Sequence, residues 1–115
     1  MASEKLVIAI KCKVEFEKLV AFYQQNTSYM STDANNFFNI IRNDVYEFIS
    51  RGQYIGINCT ITDGKIMYIG VAPLDFYIET IRTYGNIISL IDFRLMYKKN
   101  KKVMKNFNDL CAGGK

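Results

Sequence analysis

The chain contains no histidine. That absence removes Ser-His-Asp and Cys-His activation of a nucleophile, together with the commonest zinc ligand. A general acid or base would have to be Asp, Glu, Lys, Tyr or Cys. The phosphate-cradling pattern Gly-x-x-x-x-Gly-Lys-Ser/Thr is also missing. The longest polar stretch, Gln24 to Asn36, holds one acid, Asp33, too few for a calcium loop. Three cysteines, Cys12, Cys59 and Cys111, are far apart, odd in number and without a Cys-x-x-Cys pair. No metal ligand set and no cofactor site is expected. No apolar run approaches the roughly 18 to 20 residues a membrane span needs. Lys11 and Lys13 follow the short apolar run at the start, and no small-residue cleavage site does, so no signal peptide is expected. The expected compartment is the cytoplasm, or a host's cytoplasm for a viral protein. There is no internal repeat, low-complexity tract or linker.

What is present fits one globular domain over residues 1–111 with a frayed tail over 112–115. Half of the 115 residues are hydrophobic and 23% are charged, which sets the chain apart from disordered sequences. The net charge is +4, and eleven of the fifteen basic residues are lysine. A mild excess of this kind does not alone imply nucleic acid. The weight of Ile, Asn, Lys and Tyr fits an AT-rich genome, such as that of a phage, a large DNA virus or a low-GC bacterium.

The clearest local signal is Tyr54 to Val71, two alternating apolar runs joined by Asp63-Gly64. Asp-Gly between such runs marks a two-residue hairpin turn. That turn pairs Thr62 with Lys65, Ile61 with Ile66, Thr60 with Met67, Cys59 with Tyr68 and Ile57 with Gly70. One face then carries Ile55, Ile57, Cys59, Ile61, Ile66 and Tyr68, the core face. The other carries Asn58, Thr60, Thr62, Lys65, Met67, Ile69 and Val71. Gly56 and Gly70 sit inside strands, where an aromatic ring packed over them is the favoured explanation.

Elsewhere, Leu6 to Val14 alternates and reads as a strand, with Cys12 and Val14 on its apolar face. Phe16, Leu19, Val20 and Tyr23 then recur at helical spacing. Gln24 to Asn36 is the longest candidate loop, with Tyr29 and Met30 its large apolar groups. Ser31, Thr32 and Asp33 offer caps for a helix striped by Phe37, Ile41, Val45 and Phe48 and widened by Phe38, Ile40 and Ile49. Gly52 closes it. After the hairpin, Pro73 opens a helix through Leu74, Tyr77, Ile78, Ile81 and Tyr84, closed by Gly85. Asn86 to Tyr97 alternates and is rich in β-branched residues, which favours a strand. Lys99 to Cys111 reads as a final helix. The order β-α-α-β-β-α-β-α is an α+β fold: an antiparallel or mixed sheet of about four strands around the Asp-Gly hairpin, with helices mainly on one face. All three cysteines fall on apolar faces in this reading, so buried free thiols are expected.

Charged groups give few leads. Asp92 and Arg94 share a face if Asn86 to Tyr97 is a strand, and a solvated ion pair is the ordinary outcome. Asp75, Glu79 and Arg82 read as helix-surface charge. Lys98, Lys101, Lys102 and Lys105 fall at helical spacing with Lys99 beside them, a stripe whose ordinary reading is a solvated helix face and whose functional reading is an anion or nucleic-acid site. Two function classes follow. The first is a non-enzymatic module acting by binding a protein or itself as a homo-oligomer, as an adaptor, inhibitor or regulator. Its interface candidates are Met67, Ile69, Val71, Tyr29 and Met30, and eight tyrosines and five methionines suit it. The second is a binder of nucleic acid or an anionic ligand through the lysine stripe.

Overall fold

The computed structural model describes residues 4–25, 34–62 and 65–96. Its elements are β1 (Glu4–Ile10), α1 (Lys13–Gln25), α2 (Ala34–Ser50), β2 (Ile55–Thr62), β3 (Lys65–Pro73), α3 (Leu74–Glu79), α4 (Ile81–Tyr84) and β4 (Asn86–Ser89). Helical backbone follows over residues 90–96, α5. The four strands form one mixed sheet in the order β3-β2-β1-β4. β1 and β3 run antiparallel to β2, and β4 runs parallel to β1. This is an α+β fold with a four-stranded sheet and helices packed on it.

Burial follows the alternation of each strand. Leu6, Ile8 and Ile10 of β1, Ile55, Ile57, Cys59 and Ile61 of β2, and Ile66 and Tyr68 of β3 face one side. Phe16, Leu19, Val20 and Tyr23 of α1, Phe38, Ile41 and Val45 of α2, and Leu90 and Phe93 of α5 cover them. β1 is buried on both faces, since Val7 and Ala9 on its other side are also shielded. α2 ends as its sequence predicts. Gly52 takes φ +82°, its N–H donates to the Ile49 carbonyl at 2.9 Å, and the Gln53 N–H donates to Phe48 at 3.0 Å.

The hairpin keeps the expected pairing from Thr62↔Lys65 to Cys59↔Tyr68, which leaves positions 63 and 64, outside the described residues, for the turn. Beyond that the register shifts. Asn58, not Ile57, pairs with Gly70, and Ile57 pairs with Val71. Ile69 is the extra residue of a β-bulge, and everything after it changes face. Val71 therefore leaves the second face and packs against the core.

Four further segments differ from the sequence reading. β1 stops at Ile10, so Cys12 and Val14 leave the alternation and are exposed. Both ends of the loop expected over Gln24 to Asn36 are helical, because α1 runs through Gln25 and α2 begins at Ala34; residues 26–33, with Ser31, Thr32 and Asp33, lie outside the described residues. The helix expected from Leu74 to Tyr84 breaks at Thr80, whose hydroxyl donates back to the Phe76 carbonyl at 2.7 Å. The strand expected over Asn86 to Tyr97 ends at Ser89. The Asp92 N–H donates to the Ser89 hydroxyl at 3.1 Å, an N-cap that starts α5 and buries Leu90 and Phe93 one turn apart. The helix expected from Lys99 to Cys111 lies outside the described residues.

The thiols divide accordingly. Cys59 is buried, and burial first, then the charge of Glu4, pushes its pKa up to about 12. Cys12 is exposed. Native protein treated with a bulky maleimide should lose the Cys12 thiol promptly and keep Cys59 until denaturant is added. Peptide mapping that finds Cys59 modified first would show that the core face is misassigned.

Candidate functional site

Among the described residues the second sheet face is partly uncovered, and α3 and α4 decide how much. Pro73 fixes φ at −54° where β3 ends, which turns the chain into α3. α3 then lays Tyr77 across β2. A Cβ at Gly56 would overlap the Tyr77 ring and stand 2.7 Å from Val7 Cγ1, so the glycine is the seat for that ring. The Tyr77 hydroxyl donates to Asn58 Oδ1 at 2.7 Å, satisfying the one buried polar side chain of the described core. Burial first, and the nearby Tyr84 second, push the Tyr77 pKa up to about 12. Phe76, Tyr77 and Tyr84 pack edge to face or tilted, with centroids 5.3 to 5.6 Å apart. This closes the half of the face nearest α3.

The half nearest the hairpin stays open. Met67 is 56% exposed and Ile69 53% exposed. Between the strands and α4 lies a cleft of about 190 Å³ lined by Lys5, Asn58, Thr60, Ile69, Thr83 and Tyr84. Thr60 pairs with both Lys5 and Met67, and Thr62 pairs with Lys65, so these residues share the face. Among the described residues the strands thus bring two lysines and no carboxylate to this half. Of the interface residues expected from sequence, Met67 and Ile69 meet here, Val71 does not, and Tyr29 and Met30 lie outside the described residues.

Both sheet edges are blunted. β4 has four residues. β3 carries Lys65 at one end, Pro73 at the other and a bulge between them, three devices that discourage strand addition.

One cluster of charged groups away from this face is drawn into structure. Glu17 of α1 accepts from Nε and Nη2 of Arg42 on α2, each at 3.0 Å, and from the Tyr46 hydroxyl at 2.5 Å. Arg42 also donates to Asn39 Oδ1 at 2.9 Å and stacks its guanidinium over Phe16. Arg42 beside it holds the Glu17 carboxyl below the ordinary carboxylate value, with Tyr46 adding to the effect. The carboxylate in turn raises both Arg42 and Tyr46. The sequence did not single out this clamp, because its members are on different helices. Asp92 and Arg94 do not pair: two residues apart on a helix they point apart, and Arg94 lies over the Phe22 ring. Asp75 and Glu79 are exposed on α3, with Arg82 exposed on α4. Lys98, Lys99, Lys101, Lys102 and Lys105 lie outside the described residues. Among the described residues no group of three His, Cys, Asp or Glu converges on a metal position, and no helix is long and apolar enough to cross a membrane.

Comparison with protein-family models, with curated proteins and with solved structures finds no match.

Proposed function

We propose that the chain is a non-enzymatic binding module that docks a partner protein on the open half of its second sheet face. The observation that carries this reading is the half-exposed pair Met67 and Ile69 beside the Lys5–Tyr84 cleft. Large apolar groups on a sheet surface with a polar rim mark contact surfaces. The rim contributed by the strands is basic, through Lys5 and Lys65, which suits an acidic-rimmed partner better than a second copy of the chain. The blunted edges of β3 and β4 favour face packing over strand addition. Supporting the non-enzymatic part, the buried or clustered polar groups that could do chemistry, Asn58 with Tyr77 and Glu17 with Arg42 and Tyr46, are spent on one another.

Fully burying one such side chain contributes about 1.5–3 kcal/mol. Association costs on the order of 4–15 kcal/mol, so the patch has to be the centre of a wider contact. Ile69→Lys changes an exposed side chain and should leave the melting temperature as it is. Affinity purification from the native cell should return a partner with the wild type that Ile69→Lys loses. Equal recovery by both would remove this face as the interface. Light scattering over a concentration series tests the self-associating version: a wild-type dimer that Ile69→Lys dissociates would make the partner a second copy.

A further inference from the structure

On the opposite layer, the outer face of α1 and Tyr46 of α2 form a shallow, open groove of about 380 Å³ lined by Lys13, Val14, Glu17, Lys18, Ala21 and Tyr46. Val14, Glu17, Lys18 and Ala21 recur at i, i+3, i+4 and i+7, the face of α1 turned away from Phe16, Leu19 and Tyr23. Core packing therefore does not explain an apolar residue there, yet Val14 is 62% exposed and Ala21 is exposed beside it. With the Tyr46 ring they make an apolar floor. The row from Val14 to Ala21 is about 10 Å long at 1.5 Å per residue, two turns of a helix laid alongside.

The charge of this groove is one-sided. Among the described residues Glu17 is its only carboxylate, and its charge is taken up by the two-pronged contact with Arg42 and by the Tyr46 hydroxyl. Lys13 holds its ammonium 5.1 Å from the Tyr46 ring centroid. Lys18 is exposed and makes no ion pair among the described residues. Lys13, over the Tyr46 ring, and Lys18 leave the groove positive beside its apolar residues. A second copy docked through this face by a two-fold axis would set Lys13 and Lys18 against the same two lysines. The chain's own segment from Lys98 to Lys105 carries five lysines of the same sign. Neither is complementary.

The geometry points to an acidic amphipathic helix of a partner protein as the occupant. Its apolar stripe would lie on Val14 and Ala21, and its carboxylates would meet Lys18 and the Lys13 ammonium over the Tyr46 ring. This surface is separate from the Met67–Ile69 face, and either one stands if the other fails.

The test uses the full chain, isotope-labelled, and two synthetic helical peptides of about 15 residues. Both carry leucine at i, i+3, i+4 and i+7; one has glutamate on its polar face, the other lysine. The glutamate peptide should shift the amides of Val14, Lys18 and Ala21, more weakly at high salt, and the lysine peptide should not. Lys18→Glu should weaken the glutamate peptide by about tenfold with an unchanged melting curve. In Lys13→Glu/Lys18→Glu the preference should invert toward the lysine peptide. Equal binding of both peptides, shifts confined to Met67 and Ile69, or shifts from dilution of the protein alone would each overturn the assignment.

Discussion

Gly85→Ala should lower the unfolding free energy by about 3 kcal/mol or more, a large part of the roughly 5–15 kcal/mol that holds a domain of this size. Gly85 ends α4, with its N–H donating to the Ile81 carbonyl at 2.8 Å. Its φ of +98° is strained for any L side chain. The greater obstacle is space. A Cβ there would stand 2.5 Å from the Lys5 carbonyl carbon and closer still to its oxygen. That oxygen belongs to β1, whose next residue, Leu6, pairs with Asn86 at the start of β4, so it cannot retreat without opening the β1–β4 ladder. Gly52→Ala supplies the control. Gly52 also has positive φ, +82°, but nothing lies within 4 Å of a Cβ there, so only the dihedral strain of about 1–2 kcal/mol applies. Urea titrations of the two variants should therefore differ, with Gly85→Ala clearly the worse. Equal losses would mean that the approach of α4 to β1 is not tight.

The contrast between these two glycines marks the limit of what the sequence discloses. Gly52 closes a helix within its own neighbourhood, and helical spacing followed by glycine is enough to place it. Gly85 also closes a helix, but its heavier role depends on Lys5 at the far end of the chain. The same division runs through the hairpin. The pairing from Thr62↔Lys65 to Cys59↔Tyr68 is the one expected of a two-residue turn, which the sequence Asp63-Gly64 signals. Alternation alone does not show where a ladder takes in an extra residue, so the bulge at Ile69 and the turn of Val71 toward the core could not be read. Other misses did leave a trace. Ser89-x-x-Asp92 is a helix-start pattern, outweighed by the β-branched run around it. For the candidate site, the half-exposed pair Met67 and Ile69 was legible because it lies on the hairpin. The Tyr77 lid over Gly56 was legible only as an aromatic of unknown identity. The α1–α2 groove was not legible at all, since it exists only once two helices with separate stripes are set side by side.

Phe38→Ala should cost about 3–5 kcal/mol, and Ile40→Ala, two residues along the same helix, no more than about 0.5 kcal/mol. The sequence stripe placed both side chains on the inner face of α2. Phe38 is fully buried, whereas Ile40 is 69% exposed. A helix turns about 100° per residue, so neighbours two apart point apart. The inner stripe is therefore Ala34, Phe38, Ile41 and Val45, with Phe37, Phe48 and Ile49 at its margins. Phe38 is also where the layers meet. Its ring centroid lies 6.1 Å from Phe16 and 5.8 Å from Tyr23 on α1, 5.7 Å from Phe37 on its own helix, and 4.8 Å from Tyr68 on β3. Removing it deletes the transfer term and leaves a cavity walled by rings, which are stiff and relax poorly into the space. Alanine at position 40 loses little contact and gains helix propensity. Denaturant titrations of the two variants, with unchanged m-values, measure both numbers. A loss at Ile40 comparable with that at Phe38 would mean that another element covers the outer face of α2, and the inner stripe would have to be redrawn around it.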